Sequence, residues 1–136
     1  MLKRLLYVLF LICAFAGAAD AEDAANGFPY EAIFTCGLQG MRTNIAACFL
    51  GGSSGSNTQL EIRNGQNYGM YQVWELPRIG RQTPDGFLIS LREHFKIEAQ
   101  NANTSLILTL VIRDRATKKI KYQKSAAWGS VIAVKH

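Results

Sequence analysis

The sequence predicts an all-β protein, a single small antiparallel β-sandwich or barrel of about nine short strands held by one disulfide. Three observations support this. Short stretches in which apolar and polar residues alternate recur about every ten residues. Glycine, proline, asparagine and aspartate fall between these stretches. No segment follows the helical period for more than a couple of turns.

The first residues have the composition of a secretory signal peptide. Lys3 and Arg4 precede an apolar run over residues 5–15, which is about half the length that spans a bilayer. We expect removal of residues 1–21, so contact with a membrane would occur only through an uncleaved signal. The sequence therefore predicts a periplasmic or secreted bacterial protein with a single domain over residues 22–136.

Two cysteines, Cys36 and Cys48, lie in this domain. An even pair in an oxidising compartment predicts a disulfide, and the pair has neither CxxC spacing nor histidine neighbours. The bridge would stabilise the fold by roughly 3 kcal/mol. It would join a first strand at 31–36 to a second at 45–50, which a Gly-Ser loop at 51–57 follows.

Residues 58–76 predict a β-hairpin, because alternating residues flank Asn64-Gly65, a pair typical of tight turns. The loop could have two residues, Asn64-Gly65, or four, residues 64–67. In both cases the same side chains share one face of the hairpin. The expected core-facing side chains are Leu60, Ile62, Tyr71 and Val73.

The opposite face of the hairpin mixes aromatic and polar side chains, which is typical of a flat binding surface or of a second buried layer. Glu61 and Arg63 on this face argue against complete burial. The candidate binding surface consists of Tyr68, Met70, Gln72 and Trp74.

The second half of the domain predicts a surface loop and five further strands. Residues 77–86 contain two prolines and two glycines, which favours the loop. The expected strands are 87–91, 95–99, 105–112, 119–124 and 131–134. Both sides of 105–112 are apolar, so we expect that strand to be central and covered on both faces.

A basic cluster lies around the reversal between the last two long strands. It predicts either a patch for an anionic glycan or membrane surface, or lysines that guard an exposed edge strand, and we favour the second. Aromatic residues do not alternate with the cations, so nucleic acid is not an expected partner. The cluster consists of Arg113, Arg115, Lys118, Lys119, Lys121 and Lys124.

Catalytic and metal-binding patterns are missing from the sequence. The chain has two histidines, His94 and His136, and no HxH, HxxE or HExxH spacing. No serine lies in a Gly-x-Ser-x-Gly turn, and both domain cysteines are expected to be bridged. We therefore expect no enzyme activity, no metal and no cofactor.

The composition favours a protein that works by binding. A net charge of +5 is modest for an exported chain and only mildly favours an anionic partner. The leading hypothesis is a non-enzymatic envelope protein that binds another exported protein, as an accessory subunit of an envelope assembly or as an inhibitor or immunity protein. The alternative is a domain that binds carbohydrate or a cell-wall polymer.

Overall fold

A computed structural model describes residues 27–38, 41, 45, 48 and 60–136, with residues 73 and 74 described in their backbone alone. Nine strands and one 3₁₀ helix lie in this part of the chain. The strands are β1 Tyr30–Gly37, β2 Leu60–Asn64, β3 Asn67–Tyr71, β4 Arg81–Thr83, β5 Gly86–Leu91, β6 Phe95–Gln100, β7 Ile107–Asp114, β8 Ile120–Ala126 and β9 Val131–Lys135, and the 3₁₀ helix is Val73–Arg78.

The strands form two antiparallel sheets. The five-stranded sheet has the order β4-β5-β1-β7-β8, and the four-stranded sheet has the order β3-β2-β6-β9. The predicted all-β class, the strand number and the disulfide are confirmed, and of the two predicted architectures the structure is a sandwich and not a closed barrel. Among the described residues, no helix is long and apolar enough to cross a membrane.

The core lies between the sheets and follows the alternation of the sequence. Inward-facing side chains on both sheets are excluded from solvent, because successive residues of a strand point to opposite faces. Each fully buried aliphatic side chain contributes roughly 1.5–3 kcal/mol. These residues include Ala32, Phe34, Leu108, Leu110, Ile112, Leu60, Ile62, Ile97, Ala99 and Ile132.

The predicted disulfide between Cys36 and Cys48 is present. The Cα atoms are 5.6 Å apart, within the range that a disulfide spans, and both residues are buried. The strand predicted for 45–50 is wrong at its two described residues, since Ile45 and Cys48 are helical. A short apolar run is compatible with either structure, and periodicity alone does not separate them.

Of the two expected hairpin loops, Asn64-Gly65 or residues 64–67, the register matches the second, with Arg63 opposite Tyr68. Asn64 pairs with Asn67 across Gly65-Gln66, and Gly65 has a φ of 63°. This φ favours glycine, and a Cβ at Gly65 would also lie 2.5 Å from a side-chain carbon of Arg92, which would have to move. The parity is unchanged, which confirms that Leu60, Ile62 and Tyr71 face the core.

Asn64 also connects the two sheets. Its Nδ2 donates to the Ser90 carbonyl at 2.9 Å, and its Oδ1 accepts from the Arg92 backbone N–H at 2.7 Å. The asparagine of the turn thus anchors the β2–β3 hairpin to the end of β5 in the other sheet.

The secondary structure after the hairpin differs from the predicted one at two places. The strand ends at Tyr71, and the 3₁₀ helix begins after Gln72, whose backbone N–H donates to Glu75 Oε2 at 3.0 Å. Within the predicted 77–86 loop, Arg81–Thr83 pairs with β5 as the short edge strand β4. The first difference rests on a local capping contact between residues three apart. The second depends on the pairing of β4 with β5, which local propensity does not contain.

Two neighbouring residues of β9 test the burial pattern. Ile132 is fully buried and Val131 is 48% exposed. We expect Ile132→Ala to lower the free energy of unfolding by about 2–5 kcal/mol, because it leaves a cavity, and Val131→Ala by about 1 kcal/mol or less. Urea unfolding followed by circular dichroism measures both, and equal losses would contradict the assigned faces.

Candidate binding surfaces

An open groove with a volume of about 770 Å³ lies on the outer face of the five-stranded sheet. Strands β1, β7 and β8 form its floor, with Ile33 and Val111 near the middle and Leu38 and Met41 at one end. Among its other lining residues are Thr35, Ile107, Thr109, Gln123, Ser125, Asp85, Arg113 and Lys118. The sheet therefore presents a concave surface of mixed polarity to solvent.

The groove corrects the prediction that β7 is covered on both faces. β7 is internal in its sheet, and Leu108, Leu110 and Ile112 are buried on its inner side. On its outer side Ile107 and Val111 are only half-buried and line the groove. An apolar side chain on an internal strand thus indicates a covered face only where a second layer packs on it.

The groove offers hydrogen bonds as well as apolar contact. The hydroxyls of Thr109 and Ser125 are 2.8 Å apart across β7 and β8, and Gln123 lies one step further along β8. No aromatic side chain is among the described residues that line it. The described part of this surface therefore offers no flat ring on which a sugar could stack.

A buried carboxylate lies under the charged end of the groove. Glu31, in β1, is 1% exposed, and its partner in register on β7 is Arg113. Arg113 Nε donates to Glu31 Oε1, the same oxygen lies 3.0 Å from Lys118 Nζ, and Arg115 Nη1 lies 3.7 Å from Oε2. Three cations therefore compensate one buried negative charge, as the burial of a charge requires.

Arg115 is itself as buried as Glu31 and connects three segments. Its backbone N–H donates to the Pro29 carbonyl at 2.9 Å, and its Nε donates to the Phe28 carbonyl at 2.9 Å. Its Nη2 donates to the Ser90 hydroxyl on β5. The guanidinium thus fixes the chain before β1 and the end of β5 against the reversal after β7.

The turn that follows β7 is held by its own carboxylate. The backbone N–H of Thr117 donates to Asp114 Oδ1 at 2.9 Å, and this bond holds the pKa of Asp114 below its ordinary value. Lys118 follows with a φ of 60°. The turn carries Lys118 back toward β1, where its ammonium reaches Glu31.

The structure divides the predicted basic cluster into two groups. Arg113, Arg115 and Lys118 converge on Glu31, so one continuous exposed patch is wrong, most clearly for the buried Arg115. The remaining cations, Lys119, Lys121 and Lys124, are exposed on β8 or just before it, at the edge of the five-stranded sheet. That position fits the edge-guarding interpretation.

The predicted hairpin surface lies on the outer face of the four-stranded sheet. Tyr68 is 53% and Met70 is 51% exposed, which excludes a second buried layer over these two residues. The Arg63 guanidinium lies 5.5 Å from the Tyr68 ring centroid. Gln72 is half-buried beside the 3₁₀ helix, and the side chain of Trp74 lies outside the described part.

Neighbouring charges cover the rest of that face. Lys96 Nζ lies 2.9 Å from Glu98 Oε1 and 3.4 Å from Glu61 Oε1. The hydrogen bond to Glu98 raises the pKa of Lys96, and the charge of Glu61 acts in the same direction. These exposed pairs make the face polar while leaving Tyr68 and Met70 at its edge.

The histidines lie apart from both surfaces. His94 is exposed, and the ring of His136 stacks on Phe95 with centroids 5.6 Å apart while its Nδ1 lies 2.9 Å from the Glu93 carbonyl. Within the described ranges, no cluster of three or more histidine, cysteine, aspartate or glutamate residues could hold a metal ion.

No protein-family model, curated protein sequence or solved structure matches the chain. The geometry of the two surfaces is therefore what indicates function.

The sequence identified the basic cluster that includes the three cations around Glu31, but it did not identify Glu31 as the carboxylate that pairs with them. Glu31 occupies an outward position in an alternating strand, where a polar side chain is ordinary. Its pairing with Arg113 spans 82 residues of sequence. The detectable signal was an acidic residue at the start of a strand otherwise apolar, in a chain with an excess of cations.

Loss of the Glu31 charge should destabilise the whole domain. We expect Glu31→Gln to lower the free energy of unfolding by about 3–5 kcal/mol, because the buried Arg115 loses its counter-charge. The matched control is Glu98→Gln, which breaks an exposed pair and should cost about 1 kcal/mol or less. Urea unfolding compares the two, and similar losses would show that the buried cluster contributes no more than a surface pair.

Proposed function

We propose that this protein is an exported, non-enzymatic binding module that takes a segment of another exported protein in the groove of the five-stranded sheet. A disulfide is typical of proteins that fold in an oxidising compartment. The signal-like residues 1–21 lie outside the described part, and they support export to the periplasm or beyond.

The composition of the groove is the observation that carries this proposal. The Thr109 hydroxyl lies on the floor between the half-buried Ile107 and Val111, and the amide of Gln123 and the hydroxyl of Ser125 lie beside it on β8. A polypeptide offers the matching set, since backbone groups satisfy the polar border and side chains fill the floor. A sugar ring would find no aromatic partner among the described lining residues, which favours protein over carbohydrate.

The dimensions of the groove suit an extended segment. From Ile107 to Arg113 the floor follows β7 for about 20 Å, at about 3.3 Å per residue. Such a length accommodates roughly six residues of a partner. This is the scale of an inhibitory loop or of a docking segment in an envelope assembly, which are the two roles that the sequence suggested.

The charged end gives the partner segment a direction. Arg113 is partly exposed and lies 3.8 Å from Asp85, which is itself well exposed. An acidic side chain of a partner would meet the Arg113 guanidinium at this end while apolar side chains lie over Val111 and Ile107. Charge complementarity of this kind selects the register more than it raises the affinity.

Obstruction of the groove floor tests the proposal. We expect Thr109→Arg to weaken capture of the partner by about tenfold or more, because the long side chain occupies the middle of the groove. The partner is the protein recovered near stoichiometry from a solubilised envelope extract, and its affinity is then measured by calorimetry with each variant.

The same substitution at an exposed loop position serves as the control. Thr104→Arg should bind as the parent does, and both variants should keep the parent unfolding midpoint. Unchanged binding by Thr109→Arg would contradict the groove as the site. Recovery of glycan without a stoichiometric protein would favour the carbohydrate alternative instead.

A further inference from the structure

The four edge strands of the sandwich are protected unequally. β8 carries Lys121 and Lys124, β9 carries Lys135, and β4 is three residues long with Arg81. β3, with the sequence NYGMY, has no charge and no proline. Charge, proline and short length are what keep an edge strand from pairing with another chain, so β3 is the least protected of these edges.

Among the described residues, the backbone groups of β3 that face away from β2 belong to its two exposed residues. Asn64 and Asn67 flank a two-residue turn, and residues in that position form a hydrogen-bonded pair. Pairing alternates along an antiparallel ladder, so Gly69 and Tyr71 also bond to β2. The N–H and C=O groups of Tyr68 and Met70 therefore point away from the sheet.

Gly69 lies between these two residues and has no room for a side chain. A Cβ built on it would lie 2.4 Å from the Tyr71 hydroxyl oxygen, because the Tyr71 ring covers the inner side of the strand there. Met70 and Tyr68 project from the outer side. At Gly69, the middle of the edge, the Tyr71 ring therefore covers the inner side, and no side chain projects from Gly69 itself.

We propose that two copies of this chain associate through β3, pairing antiparallel about a two-fold axis at Gly69. This register places Tyr68 opposite the partner's Met70, and Met70 opposite the partner's Tyr68. Each of these is a hydrogen-bonded pair by the parity above, so four backbone hydrogen bonds form. The two four-stranded sheets become one eight-stranded sheet, and each methionine sulfur lies beside a tyrosine ring.

The charges of the outer face support a second copy as the occupant. One cross-strand row runs Tyr68, Arg63, Lys96, Lys135, and the neighbouring row runs Met70, Glu61, Glu98, Ala133. Pairing Tyr68 with the partner's Met70 joins the basic row of one copy to the acidic row of the other. Because of the two-fold symmetry, the basic row of each copy meets the acidic row of the other. The surface is therefore complementary to itself in charge as well as in hydrogen bonding.

The proposed contact is small, which favours a weak dimer. A five-residue edge buries less surface than the interfaces of permanent dimers. We therefore expect a reversible dimer with a dissociation constant on the order of 0.1 mM. The groove lies on the other sheet and stays open in the dimer, so this association is independent of the proposed partner binding.

Sedimentation equilibrium of the purified protein from about 10 μM to about 1 mM tests the dimer. We expect a monomer–dimer equilibrium in the parent and a dissociation constant raised about tenfold or more by Met70→Lys, which places a charge on the edge. The control is Ala133→Lys, on the same outer face but at the opposite edge, and it should dimerise like the parent.

Amide hydrogen exchange as a function of protein concentration tests the register. The amides of Tyr68 and Met70 should gain protection as the dimer forms, while the amide of Gly69, already bonded to β2, should change little. A chain that stays monomeric throughout the range overturns the proposal. So does a dimer that Met70→Lys leaves intact, or one that Ala133→Lys disrupts equally.

Discussion

The buried carboxylate of Glu31 is the interaction on which the five-stranded sheet and its groove depend. A charge with 1% exposure is tolerated only where opposite charges and hydrogen bonds surround it. Arg113 meets it from β7, and Lys118 meets it from the turn that follows. Arg115 completes the cluster while holding the chain before β1 against β5. The carboxylate therefore decides where three cations lie, and it leaves only Arg113 and Lys118 at the rim of the groove.

The two outer faces of the sandwich differ because the core does not constrain them. Inward positions on both sheets are aliphatic or aromatic, as the hydrophobic effect requires. Outside, the five-stranded sheet carries Ile33 and Val111 bordered by hydroxyls, whereas the four-stranded sheet carries rows of charge around Lys96. Neither arrangement improves the packing of the core. The two faces are therefore where the sheets differ most in chemistry, and both proposed contacts use them.

Local features of the sequence predicted most of the strands and the hairpin. Alternation and the Asn64-Gly65 turn act over a few residues, so Leu60 and Ile62 could be assigned to the core without a structure. The groove and the Glu31 cluster depend on which strands become neighbours, and sequence alternation carries no information on that order. The strand predicted at Ile45 was wrong for a related reason, since a short apolar run does not distinguish a helix from a strand.

Several ionisable groups are engaged by structural partners, which supports the proposal that this protein works by binding. In the described part of the chain, Glu31 is held by three cations, and Glu61 and Glu98 share Lys96. His136 stacks on Phe95 and lies against a backbone carbonyl. Groups that are committed to structural partners are poorly placed to exchange protons with a substrate. In the described part, β7 on one sheet and β3 on the other present hydrogen-bonding groups beside apolar and charged side chains, and proteins recognise extended chains by such combinations.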